Sequence, residues 1–256
     1  MLIIAPPSET KRRSPEGGPP VDLGALSFPE LTPLRERVAA ALIETSAAPD
    51  AFQRLRLRPS FAADIACNTR LFKLPVMPAA ELYTGPLHRG LDLAGLPAET
   101  RRRADERVVI TSALWGALRP DDRVPSYRLH LFAQPIGIDR IDHFWRSAVS
   151  DVLARAAGSE GLVVDLRSGT FRQIGRPDLG DRTIALRVQQ RALAGRIGDV
   201  VAKRTRGEAA RRLIEVDGDP SEPGELADVL GEWWSVELEP PLRTGHPWTL
   251  TLRIDE

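Results

Sequence analysis

Cysteine, lysine and net charge are all scarce in this chain of 256 residues. The single cysteine, Cys67, excludes an internal disulfide and fits a reducing compartment. Lysine stands only at Lys11, Lys73 and Lys203, so arginine carries nearly all the positive charge. Lysine plus arginine number 35 and aspartate plus glutamate 35, a formal charge of zero. A protein that clamps nucleic acid usually has a basic surplus, so any such surface here must come from segregated charge. Long apolar runs are missing too. The opening run, residues 1–5, stops at Pro6-Pro7. A signal peptide needs an apolar core of about 7–15 residues and a membrane span about 20. The expectation is a cytoplasmic chain with no membrane partner. There is no GxGxxG turn, phosphate-binding P-loop, GxSxG elbow or CxxC pair. His88, His130, His143 and His246 lack metal-ligand spacing, so neither a metal nor a cofactor is expected.

Short apolar runs alternate with helical patterns. Residues 2–4, 108–111, 162–166 and 183–188 read as buried strands, and 235–238 and 249–254 as closing strands, the last alternating cleanly. Residues 31–46 read as a helix with Thr32 as N-cap and Pro33 in the first turn. Residues 48–72 read as one or two short helices broken near Pro59, and 81–85 as extended. Residues 97–105 form a charged helix, 139–157 an amphipathic one, 196–216 a basic one and 226–230 a short one. Within 139–157, His143 is expected at the core or its edge beside Phe144 and Trp145. Most of the five tryptophans are expected in the core. No repeat or low-complexity linker interrupts residues 1–256. The expectation is one domain of α/β or α+β class, a central mixed sheet flanked by helices.

Chemistry concentrates at strand ends. After the strand at 108–111 come Gly116, Arg119-Pro120, Asp121-Asp122, Pro125 and Tyr127-Arg128. After the first strand come Ser8, Glu9, Thr10 and Lys11, and at the end of the strand at 162–166 come Asp165, Arg167, Ser168, Gly169 and Thr170. In a partly parallel sheet these loops share one edge. Arginine clamps phosphate or carboxylate with two bonds, and Ser168-Gly169 lets the backbone approach an oxyanion. Lys11, Arg119, Tyr127, Arg128 and Ser168 are therefore candidates for one small-anion cleft, with Tyr127 as acid or donor and Asp165 as base. The competing reading is a structural network in which Asp121, Asp122 and Asp165 neutralise the arginines. A second candidate is the basic helix, with Lys203, Arg204, Arg206, Arg211 and Arg212 facing duplex DNA. A plain solvated face explains the same charges. Gly207 marks a break in that helix or a close backbone approach.

Seven blocks, in order, carry a family resemblance. They are MLIIAPPSETK (1–11), CNTRLF (67–72), LYTGPLHRGLD (82–92), SALWGALRPDDRVPSYRLHL (112–131), HFW (143–145), LVVDLRSGTF (162–171) and KRTRGEAARRLI (203–214). The chain resembles the YaaA family of peroxide stress proteins, also called UPF0246 or DUF328. The resemblance implies a family-specific fold and a cytosolic protein of the hydrogen peroxide response that binds DNA through a local basic surface and limits iron-dependent damage. The alternative is an enzyme acting on a nucleotide, nucleobase or other small anion in the strand-end cleft. Steep salt dependence of DNA binding favours the first reading, and a small anion held in the cleft favours the second.

Overall fold

The computed structural model describes residues 1–190 and 198–254. Among these, nine strands form two sheets. The large sheet runs β4 (Gly116–Leu118), β3 (Val108–Ser112), β1 (Leu2–Ala5), β6 (Val163–Asp165), β7 (Thr183–Gln190), β9 (Trp248–Ile254), β8 (Ser235–Glu239). The small one pairs β2 (Met77–Pro78) with β5 (Arg123–Val124). In the large sheet the five inner strands are parallel, and β4 and β8 are antiparallel edges. This is a mixed α/β sheet with helices around it, as expected.

Parallel strands covered on both faces need continuous apolar sequence. The sequences LIIA of β1, VVITS of β3 and VVD of β6 are buried at every position. The edge strand β8 instead alternates exposed Ser235, Glu237 and Glu239 with half-buried Val236 and Leu238, which discourages further pairing. The clean alternation expected for β9 fails at its centre. Leu250, Thr251 and Leu252 are all buried, because the strand is covered on both faces there.

The helices are α1 (Thr32–Ala47), α2 (Ala51–Arg54), α3 (Ala62–Asn68), α4 (Ala79–Leu82), α5 (Pro86–Leu91), α6 (Ala98–Arg107), α7 (Ile141–Ala157), α8 (Asp199–Glu215) and α9 (Pro223–Gly231). Thr32 does not cap α1. Leu31 takes that position without a side-chain cap, and the Thr32 hydroxyl is buried without a partner. Of the segment 81–85 expected to be extended, Glu81 and Leu82 instead end helix α4, and Tyr83 forms an isolated antiparallel bridge with Lys11. His143 is exposed rather than at the core, while Asp142 turns inward and is held by Arg140. The expected start of the basic helix at 196 lies outside the described residues.

Two buried tryptophans organise the middle of the sheet. Trp145 of α7 donates from Nε1 to the Ala113 carbonyl at 2.9 Å, and its ring fills the space beside Gly116. Gly116 has φ +73°, and a Cβ there would lie 2.8 Å from that ring, so only glycine fits. Trp115 meets Tyr127 edge-on at 6.4 Å and so helps orient the tyrosine. Arg35, fully buried on α1, donates to the carbonyls of Ser27, Trp115 and Ala117. Burial holds its guanidinium down to about 10.

The chain order creates a crevice. β1 has β3 on one side and β6 on the other. The chain adds β3 on one side, then crosses over to build β6, β7 and β9 on the other. Loops leaving the C-terminal ends of β1 and β6 therefore diverge. A topological switch point of this kind is where open α/β sheets leave room for ligands.

Candidate functional site

Two adjoining lobes open at that switch point. One is a cavity of about 210 Å³ bordered by Lys11, Tyr127, Arg128, His130 and Thr170. The other, of about 310 Å³, is bordered by Thr10, His88, Asp199, Lys203 and Arg206. Ser8 and Ser168, from the loops after β1 and β6, belong to both.

Local hydrogen bonding places each group. The Arg12 N–H donates to the Leu82 carbonyl at 2.8 Å and the Thr84 N–H to the Thr10 carbonyl at 3.1 Å. This short antiparallel clasp sets Lys11 beside Tyr83. Lys11 Nζ donates to the Ser8 carbonyl at 2.7 Å and lies 4.3 Å from the Tyr127 ring centre and 5.6 Å from that of Tyr83. The only two tyrosines of the chain thus both face this lysine. Their hydroxyls are 3.1 Å apart, and the Tyr127 hydroxyl also meets Ser112 Oγ at 2.8 Å. Ser112 Oγ in turn accepts the Trp115 N–H. Ser112 is the last residue of β3, so the strand end anchors this hydroxyl chain.

Arg128 is positioned by Asn68, the fully buried last residue of α3. The Asn68 carboxamide accepts the Arg128 N–H at 2.9 Å and donates to the Arg128 carbonyl at 2.8 Å. The guanidinium donates to the Glu9 carbonyl at 2.8 Å and lies over the Phe61 ring. Asn68 and Tyr83 fall inside the blocks CNTRLF and LYTGPLHRGLD. A lone Asn or Tyr carries no pattern, so only its neighbours in space reveal its role.

Electrostatics follow from this packing. Burial, and then the positive charge of Arg128, push the Lys11 amine down to about 7; Glu9 and Asp64 oppose the shift. The Tyr127 ring favours the cation, but a cation–π contact of about 1 kcal/mol recovers less than one pKa unit. Burial pushes both tyrosines up, Tyr83 strongly. His88, stacked on Tyr83 at 5.2 Å, pairs its Nε2 with the Pro6 carbonyl, and burial lowers it to about 4. Near pH 7 the cleft holds neutral His88, a neutral Tyr127 and a half-neutral amine.

Four of the five anion candidates, Lys11, Tyr127, Arg128 and Ser168, line the first lobe. Arg119 does not. It donates to the carbonyls of Glu106 and Val108 and lies over Phe28. Val108 opens β3 and Ser112 closes it, so Arg119 sits at the opposite edge of the sheet, about 13 Å away along the strand. Its loop is tied down by Asp122, which accepts the Arg119 and Ser27 N–H groups.

Asp165 is likewise not in the cleft. It accepts two bonds from the Arg167 guanidinium, at 2.9 and 3.0 Å, and lies 3.2 Å from Arg172 Nε. It borders a separate cavity of about 330 Å³. Both of its oxygens are taken up by these arginines rather than offered to the cleft.

The basic helix divides in two. Lys203 and Arg206 border the second lobe. Arg204 is exposed and pairs with Glu208. Arg211 is largely covered, bound to Asp92 and Glu215, and Arg212 pairs with Glu215 and lies over Trp233. Gly207 marks a close approach, not a break. A Cβ there would lie 2.0 Å from the Leu87 carbonyl oxygen of α5. Among the described residues no group of three or more His, Cys, Asp or Glu is placed to hold a metal, and no helix is long and apolar enough to cross a membrane.

Comparison with known proteins gives a consistent result. The family described as peroxide stress protein YaaA matches residues 1–237. A UPF0246 protein of Streptomyces coelicolor is 37% identical over 261 residues, covering 100% of this chain and 99% of its own. A UPF0246 protein of Corynebacterium efficiens is 36% identical over 264 residues, covering 99% of this chain and all of its own. One of Corynebacterium glutamicum is 32% identical over 260 residues, with coverage of 99% and 100%. The match runs through every block that builds the cleft, and the chain belongs to the YaaA family of peroxide stress proteins.

Proposed function

We propose that this peroxide-stress-associated protein works in the cytoplasm by holding a phosphate-bearing ligand of nucleotide type in the strand-end cleft. The observation that carries this reading is the convergence of Arg128, Lys203 and Arg206 on the two lobes that share Ser8 and Ser168. Fixed cations around small hydroxyls suit a phosphate, and the apolar and aromatic walls suit a ring. Lys11 and Tyr127, the latter backed by the buried hydroxyls of Tyr83 and Ser112, then face whatever the phosphate anchors. This supports an enzyme, in which Lys11 supplies a basic or nucleophilic amine and Tyr127 a hydrogen-bond donor.

Binding of DNA is supported by the same geometry in a specific form. Lys203 and Arg206 border the second lobe. We propose that DNA is engaged there, through its phosphates, with one nucleotide entering the cleft. Arg204, Arg211 and Arg212 pair with carboxylates outside the two lobes and contribute less, whereas Lys203, though paired with Asp199, borders the second lobe with Arg206. The iron-limiting role carries no residue assignment.

Oligonucleotide binding across a salt series tests both parts. Replacing Lys203 and Arg206 with Ala should flatten the log–log salt slope by up to about 2 units, at about 0.9 per phosphate contact. The Arg204, Arg211 and Arg212 triple Ala variant should change it less, and a mononucleotide should compete with the oligonucleotide. A slope that responds only to the outer triple variant, with no competition by the mononucleotide, overturns the reading.

A further inference from the structure

We propose that Lys11 is a nucleophilic amine that forms a covalent imine with an aldehyde or ketone carrying a phosphate. The inference rests on the reading of the cleft as an anion site and deepens it by assigning the reacting group.

The geometry comes first. Lys11 Nζ borders the first lobe, is tethered only by its bond to the Ser8 carbonyl, and faces aromatic rings. Among the described residues no carboxylate lies within ion-pair distance of it. Lys203, by contrast, is paired with Asp199, and Lys73 is exposed. The groups facing Lys11 are Arg128 and Tyr127 from the segment after β5, Glu9 from its own loop, Asp64 of α3, Tyr83 after α4 and His88 of α5. Burial and Arg128 outweigh Glu9 and Asp64, so the amine is half neutral near pH 7. An ordinary lysine is neutral in about one molecule in 2,500 at that pH, so Lys11 gains roughly a thousandfold in reactive form. A desolvated lysine beside another cation is a recognised route to an amine that attacks carbonyls.

The step balances within amine and carbonyl alone. The nitrogen lone pair bonds to the carbonyl carbon as the C=O π pair moves to oxygen. One N–H proton passes to that oxygen. The second N–H proton and the hydroxyl then leave as water, and C=N forms. A phosphate on the ligand would be held by Arg128 in the first lobe, or by Lys203 and Arg206 across Ser8 and Ser168 in the second.

The presence of only three lysines makes the test clean. The intact protein is treated with glyceraldehyde 3-phosphate and cyanoborohydride, which reduces an imine to a stable secondary amine. Labelled peptides are then mapped. Lys11 should label at least about tenfold faster than Lys73, Lys203 or the amino terminus, with a rate that rises through a midpoint near pH 7. Inorganic phosphate should slow it, and Lys11→Arg, checked for folding by circular dichroism, should abolish it. Labelling spread evenly over the lysines overturns the imine proposal. If inorganic phosphate binds by calorimetry and Lys11 does not label, the imine fails and the anion cleft stands. If Lys11 labels selectively but neither phosphate nor the loss of the aldehyde's phosphate changes the rate, the nucleophile stands and the anion cleft fails.

Discussion

Helices α5 and α8 cross in close backbone contact, and replacing Gly207 with Ala tests it. An added Cβ would lie 2.0 Å from the Leu87 carbonyl oxygen and 2.7 Å from the Leu91 nitrogen. The first distance is about 1.4 Å short of the 3.4 Å at which ordinary contact begins. Both obstacles are backbone, so no side chain can swing aside and the helices must part. Overpacking a core costs about 1–3 kcal/mol and occasionally more. A rigid backbone obstacle belongs beyond that range, at about 4 kcal/mol. Better helix propensity returns about 1 kcal/mol. The net loss should be about 3 kcal/mol, or about 6–12 °C in Tm for a chain of this size. Because α5 carries His88 and α8 carries Lys203 and Arg206, oligonucleotide affinity should fall as well. Urea and thermal unfolding of the variant decide the matter. A Gly207→Ala protein within about 0.5 kcal/mol of the parent would refute the close crossing.

The other predictions concern single groups. Asn68→Ala removes both bonds to the Arg128 backbone and should cost about 2 kcal/mol in urea unfolding while weakening nucleotide binding. Asp165→Asn leaves the buried Arg167 without its charge partner. Denaturant unfolding should show a loss of about 3–5 kcal/mol, and an unchanged midpoint would contradict a structural role. His88 titrates near 6.5 when unfolded but at about 4 when folded, so the unfolded state binds more protons between those values. Its contribution is intact above pH 6.5 and falls as pH drops toward 4, by about 3 kcal/mol at full shift; His88→Gln should flatten that limb of the stability–pH profile.

The parallel centre of the sheet was legible because burial on both faces demands unbroken apolar runs, and LIIA, VVIT and VVD supply them. From those strands followed the edge where Ser8, Lys11, Tyr127, Arg128 and Ser168 gather. Arg119 misled because it stands only nine positions before Arg128, yet one antiparallel strand, β4, returns it to the opposite edge. The run Gly116–Leu118 is too short to announce itself as a strand. Asp165 misled for a different reason. It is the last residue of β6, one residue short of the expected strand end at 166, and its partner Arg167 stands only two residues on and closes over it. Spacing along a strand says nothing about that turn. Charge signs on α8 were visible, but the neutralising carboxylate of Asp92 comes from a distant part of the chain, and only the fold brings it to Arg211.

The central claim is that the lobes sharing Ser8 and Ser168 hold a phosphate-bearing ligand. A crystal soaked with a mononucleotide tests it most directly. The account predicts ligand density at the C-terminal ends of β1 and β6, with the phosphate against Arg128 or against Lys203 and Arg206. Density only in the separate cavity beside Asp165 and Arg172, or an empty cleft at saturating nucleotide, would contradict it.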